Sequence, residues 1–256
     1  MFETKGCAAV LGALLLLPAL AGAPARAAAT DGSDQKGGAG PAGAPAEAPA
    51  GVTECDRLAQ PTRAAMGNLP ALVDGVSHAD LRWPAARAAC ASAMEGAPSE
   101  VRFVAFAARA ADKGGDARAA ARLYRAAADE GYPLAQVNLG VLYEGGEGGL
   151  GRDDREAARL YRLAADQGYP AGQASLGTFL MSGRGGLRRN EPEAARLWRL
   201  AADAGNAQAQ NNLGKLYAEG RGGLRRDMNE AARLWRLAAE GGVAEARNNL
   251  RRAGRS

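Results

Sequence analysis

GYPLAQVNLGVLYEGGEGGLGRDDREAARLYRLAADQ, residues 131–167, is followed by GYPAGQASLGTFLMSGRGGLRRNEPEAARLWRLAADA at 168–204 and GNAQAQNNLGKLYAEGRGGLRRDMNEAARLWRLAAEG at 205–241. The three segments are one 37-residue unit repeated in register, and a fourth opens at Gly242 with GVAEARNNL. A period of this length, with two helical halves per unit, predicts an all-α solenoid of stacked αα-hairpins. A solenoid offers a surface more often than a reaction centre, so function is sought first in what the repeats expose.

Each unit encodes its two helices. In the first, Pro133 suits an opening helical turn, where a missing N–H is harmless. Ala135, Leu139, Leu142 and Tyr143 then recur at helical spacing, and Gly145 and Gly146 end this helix A. After a glycine-rich loop, Asp153 is placed to cap helix B, with Glu156 completing a capping box; Asn190 with Glu193 and Asp227 with Glu230 repeat the pattern. Leu160, Tyr161 and Ala164 are expected to face inward, and Gly168 to stop helix B in a left-handed conformation. Gly140, Gly177 and Gly214 interrupt helix A at one fixed place. A mid-helix glycine costs about 1 kcal/mol against alanine, so its return predicts close backbone contact with a neighbouring helix. Tyr161, Trp198 and Trp235 are expected to plug the core of the adjoining repeat.

These residues carry a resemblance. Leu213-Gly214, Tyr217, Gly220, Asp227, Ala232, Trp235, Ala238-Ala239 and Gly242 resemble the signature of the Sel1-like repeat, a relative of the tetratricopeptide repeat. The resemblance covers roughly residues 131–256 and departs in the GGL of each loop, where the family has a shorter turn. It implies αα-hairpins in a right-handed superhelix, used as an adaptor for other proteins, and exported bacterial members are common.

The register also reaches backwards. Residues 116–130 match helix B, 99–111 match helix A without its Leu-Gly signature, and 84–95 read as one more helix, so the solenoid is expected to begin near residue 84 as a divergent N-terminal cap within 52–130. The stretch 52–83 shows little periodicity and reads as an irregular lead-in. Before it, 30–51 is a Gly/Ala/Pro tether that cannot bury a core. Residues 1–29 read as a signal peptide: the apolar run 7–20 is fourteen residues long and is followed by small residues near Ala27 and Ala29. That run is short of the ~20 residues that span a bilayer, so no transmembrane helix is expected in the mature chain, which would be periplasmic or secreted. Cys7 would leave with the signal. In an oxidising compartment Cys55 and Cys90 would then form a disulfide, the alternative being two buried thiols. Closing that loop is worth ~3–4 kcal/mol by the chain-entropy model.

With a net charge of +4 and a pI near 9.1, the chain is only mildly basic, which argues against a dedicated nucleic-acid binder. Comparing copies separates packing from surface. The helix A positions that drift lie on one stripe. They are Leu134, Val137, Val141 and Glu144 in the first copy, Ala171, Ala174, Thr178 and Met181 in the second, and Gln208, Asn211, Lys215 and Ala218 in the third. Stacked A helices line the concave side of such solenoids. The stripe is therefore the candidate groove for another protein, with Val137 and Val141 expected to be exposed apolar groups.

A second candidate is a basic edge built from loop arginines Arg184, Arg188 and Arg189, then Arg221, Arg225 and Arg226, continued by Arg251, Arg252 and Arg255. Guanidinium groups suit carboxylate and phosphate, so an anionic envelope polymer such as peptidoglycan is the alternative partner. No catalytic constellation is visible, and no cofactor or metal is expected. His78 is the one histidine, without companions in zinc spacing, and neither GxSxG nor a P-loop occurs. Some cysteine-rich secreted members of the resembling family bind or cleave β-lactams with a disulfide in each repeat. This chain has no cysteine after Cys90, which leaves that activity a distant alternative.

Overall fold

A computed structural model describes residues 53–59, 81–97 and 99–254. The expected signal peptide and tether, residues 60–80 of the lead-in, His78 and Arg255 lie outside the described residues. Among those described there are eleven helices and no strand. They are α1 (Glu54–Ala59), α2 (Trp83–Gly96), α3 (Val101–Lys113), α4 (Ala117–Asp129), α5 (Pro133–Gly145), α6 (Asp154–Asp166), α7 (Pro170–Ser182), α8 (Glu191–Asp203), α9 (Ala207–Glu219), α10 (Met228–Glu240) and α11 (Ala244–Ala253). Helices α3/α4, α5/α6, α7/α8 and α9/α10 are the hairpins, and α11 opens the next. Each helix packs on its chain neighbours. The A helices α3, α5 and α7 also touch one another in sequence, while the described B helices make no comparable contact. That asymmetry puts the A helices on the inside of the stack.

The repeated glycine and the repeated aromatic are partners within one hairpin, a pairing the spacing alone does not predict. A β-carbon on Gly140 would lie 2.7 Å from the Tyr161 ring, on Gly177 2.7 Å from Trp198 Nε1, and on Gly214 2.6 Å from Trp235 Nε1. The glycine makes room first for a ring from its own hairpin, with the Ala194 carbonyl of the neighbouring helix also 3.3 Å from the Gly177 position, and the ring reaches the adjoining repeat too, as Tyr161 meets the Phe179 ring edge-on at 5.3 Å. Helix A also receives the ring's polar edge. The Trp198 indole N–H donates to the Ala174 carbonyl (3.0 Å), that of Trp235 to Asn211 (3.2 Å), and the Tyr161 hydroxyl to the Glu144 carboxylate (2.9 Å). These rings are buried. A buried donor left unpaired would carry its full desolvation penalty.

The helix starts are capped by half of the expected box. Asp153 accepts from the Arg155 and Glu156 amides, Asn190 from Glu193, and Asp227 from Asn229 and Glu230. The glutamates do not return the bond. Glu156, Glu193 and Glu230 instead hold Arg159, Arg196 and Arg233 one turn along, each through two N–H groups. The cap residue's own N–H donates across the hairpin, Asp153 to Tyr143, Asn190 to Leu180 and Asp227 to Tyr217, each at 2.9 Å. The loop is thereby tied to the end of helix A.

The GG loop joins one repeat to the one before. Gly185 has φ +65°, and a β-carbon there would lie 2.4 Å from the Asp154 carbonyl and 2.6 Å from Ala158. Only glycine fits both the backbone conformation and the close approach.

The lead-in is more ordered at its start than its sequence suggests. Thr53 and Asp56 form a reciprocal capping box: the Asp56 amide donates to Thr53 Oγ1 (3.2 Å), and Asp56 accepts from the Thr53 amide (2.8 Å). Asp56 is buried and pairs with Arg102 of α3 at 3.1 Å, while Arg109 of α3 donates to the Ala59 carbonyl at 2.7 Å. Cys55 and Cys90 form a disulfide with a Cα–Cα distance of 4.6 Å. It fastens α1 to α2, the helix expected at 84–95.

Candidate functional site

The stripe read from the sequence divides by depth. Val141, Thr178 and Gln208 are open to solvent, and Glu144, Ala171, Met181, Lys215 and Ala218 are half-buried. Leu134, Val137, Ala174 and Asn211 are buried. The expectation that Val137 is an exposed apolar group is therefore corrected: its exposure is 8%, against 49% for Val141. These four side chains lie below the surface, where Asn211 is bonded to α11 of the next unit, so they shape the floor of the stripe.

The floor changes chemistry along the stack. At the first copy it is Leu134 and Val137. By the third it is Asn211, whose amide donates to Glu245 Oε2 (2.9 Å) and whose carbonyl accepts from Asn249 (3.1 Å). Lys215 reaches the other oxygen of the same carboxylate at 3.2 Å. Burial raises the Glu245 pKa, but the hydrogen bonds from Lys215 and Asn211 outweigh it and hold the carboxyl below its ordinary value. Thr178 returns its hydroxyl to the Ala174 carbonyl of its own helix (3.0 Å). The inner face thus runs from apolar at α5, through small and neutral at α7, to polar and charged at α9 and α11.

Part of the basic edge is spent on the fold. Arg184 forks onto Asp154 (2.9 and 3.0 Å) and also donates to Glu144 (2.7 Å), both in the preceding repeat. The Arg184 hydrogen bond heads the causes that lower the Asp154 pKa. Arg221 repeats the clamp on Glu191 (2.8 and 3.2 Å) and adds Glu219 (2.7 Å). The Glu191 carboxyl is held at about 2, first by Arg221 and then by Arg189. Arg226 donates to the Ala218 carbonyl at 3.1 Å, and Arg189 pairs with Glu191. Arg188 and Arg225 are exposed. Arg184 and Arg221 thus form inter-repeat ion pairs and Arg189 a local one, while Arg188, Arg225 and Arg226 keep their charge at the edge.

The described residues hold no cluster of histidine, cysteine, aspartate or glutamate suited to a metal ion. Every carboxylate singled out for its spacing has a structural partner: Asp153 and Asp227 cap helices, and Glu156, Glu193 and Glu230 hold arginines. The aromatic at the plug position is buried against glycine with no face open to a ligand.

The repeat phase, the glycine–aromatic pairs and the hairpin loops can be set beside known proteins. The family model for the Sel1 repeat matches residues 111–132, 133–169, 170–206 and 207–243. The chain belongs to the Sel1 repeat family. Its solved relatives share the fold. A Sel1 repeat protein from Oxalobacter formigenes is 31% identical with a TM-score of 0.56, over 64% of this chain and 66% of that one. The protein c5321, a protective antigen present in uropathogenic Escherichia coli strains and displaying an SLR fold, is 27% identical with a TM-score of 0.55, over 69% of this chain and 37% of its own length. The present chain therefore spans about a third of c5321. No curated protein matches the sequence.

The first Sel1 match begins at residue 111, inside α3. Helices α1 and α2 thus precede the matched region and close its end. One feature of the Sel1 units escaped the sequence reading: Leu163, Leu200 and Leu237, all exposed, occupy one position of helix B. Their return every 37 residues was the available signal.

Proposed function

We propose that this Sel1 repeat protein is a non-enzymatic scaffold that captures another protein along the inner face of helices α5, α7 and α9. The observation that carries the reading is Val141: a β-branched apolar side chain, 49% exposed, on the face where the A helices gather. An exposed apolar group beside a continuous floor of helix–helix contacts is what a partner's side chain would cover. Thr178 and Gln208 extend the open positions toward the polar end, so the partner would place apolar residues near α5 and polar ones near α9. Membership of the Sel1 family supports an adaptor role.

The site of action we infer is the bacterial cell envelope. The signal-like residues 1–29, the disulfide and the likeness to a protective antigen support it.

Two single substitutions test the groove. Val141→Glu should leave the melting temperature within a few degrees of wild type and abolish co-purification of the partner from the native envelope. Val137→Glu, which buries a carboxylate between helices, should lower stability by about 3 kcal/mol or more. Partner capture unchanged by Val141→Glu would remove the groove from the account.

A further inference from the structure

Three of the large apolar side chains exposed among the described residues are Leu163, Leu200 and Leu237, at 39%, 43% and 38% exposure. They fall on α6, α8 and α10 at the same place in the repeat, so stacking sets them in one row on the B-helix side, away from the inner groove. An exposed leucine standing alone needs no explanation. A row of three on successive helices does, because nothing in hairpin packing requires leucine at a position that faces solvent.

The charges beside the row are ordered. On α8, Arg196 and Arg199 lie on the N-terminal side of Leu200 and Asp203 on its C-terminal side, all exposed. The flanking helices repeat the order, so the face carries a basic band, an apolar row and an acidic band. A two-fold axis lying in this face, along the leucine row, sets a second copy face to face with the first and reverses the order of the bands. Each leucine of the row then lies over the same leucine of the other copy, and each basic band over an acidic one. The face is complementary to itself, as an isologous interface must be. An anionic surface would meet the acidic band with repulsion.

We propose that this B-helix face docks a second copy of the chain about a two-fold axis lying along the leucine row, with Arg199 of each copy meeting Asp203 of the other. Arg196 is already held by Glu193 at 2.7 Å. Arg199 donates one N–H to the Tyr217 hydroxyl at 3.0 Å and keeps others for the partner. The proposal does not rest on the groove, which lies on the A helices.

Sedimentation equilibrium of the full chain tests it, with circular dichroism as the control for folding. Wild type should show a concentration-dependent dimer. Leu200→Glu and Arg199→Asp should each weaken that dimer by roughly tenfold or more. The double exchange Arg199→Asp with Asp203→Arg should restore it, because it swaps the charges on both sides of the axis. A wild-type chain that stays monomeric up to roughly millimolar concentration, a Leu200→Glu dimer of unchanged strength, or a double exchange no better than Arg199→Asp alone would each overturn the proposal. So would binding of monomeric wild type to anionic phosphatidylglycerol vesicles through Leu200.

Discussion

Trp198 lies against Gly177 so closely that a β-carbon on the glycine would come within 2.7 Å of the indole nitrogen. The same relationship joins Gly140 to Tyr161 and Gly214 to Trp235. Two residues 21 positions apart thus form one packing unit, and the unit recurs with the repeat. It explains why a helix keeps a residue that its own propensity disfavours.

Gly177→Ala should therefore destabilise the chain although alanine is the better helix former. The propensity gain is about 1 kcal/mol, and overpacking a filled core costs about 1–3 kcal/mol. The Ala194 carbonyl, 3.3 Å from the same point, limits the room for the ring to retreat. Urea denaturation should show a net loss of up to about 2 kcal/mol. A gain in stability would mean that the indole moves freely and the glycine has another role.

The plug position also supplies a matched pair of tyrosines. Tyr161 donates to Glu144, whereas among the described residues the buried Tyr124 hydroxyl has no hydrogen-bond partner. Burial, followed by the nearby Asp112 carboxylate, pushes the Tyr124 pKa well above its ordinary value. Tyr124→Phe removes a desolvated hydroxyl without breaking a bond and should be neutral or stabilising by up to about 1 kcal/mol. Tyr161→Phe should cost about 1 kcal/mol or more, since it also leaves Glu144 short of a donor. Parallel urea titrations decide it, and equal losses in both variants would refute the distinction.

Much of the fold was legible because the period is long and exact in register. Helix limits, caps and the inward residues Leu160, Tyr161 and Ala164 followed from spacing alone. Partnerships did not. Gly177 and Trp198 both recur, but recurrence does not say that the two face each other across one hairpin. Glu156 looked like half of a capping box, yet Arg159 one turn along competes for its carboxylate and wins with two charge-assisted bonds. The groove was partly misread for a related reason. A position between adjacent A helices can change from Val137 to Ala174 to Asn211 and stay buried, provided its neighbour changes too. Asn211 is tolerated because Glu245 and Asn249 satisfy its amide. Drift between copies therefore marks both exposed residues and residues whose partners drift with them.

The inter-repeat clamps should show in acid. Glu191 has its carboxyl held at about 2 against an ordinary 4.5, so its folded form is favoured while it is charged. That contribution is complete above about pH 4.5 and is lost as the pH falls through the folded value. Arg221→Ala removes the principal cause of the shift. Its stability should lie below wild type by a constant amount near neutral pH, with the gap closing between pH 4.5 and 2. Urea midpoints measured across that range would contradict the clamp if the gap were unchanged by acid.

The central claim is that the inner face of the A helices receives another protein. Site-specific photo-crosslinking in cells that make the protein reads it most directly, with a photoreactive residue placed at Val141, at Thr178 and at Gln208 in turn and at Arg188 as the control on the loop edge. The account predicts one protein captured from all three groove positions and not from position 188. Capture confined to position 188, or no protein captured at any groove position, would contradict it.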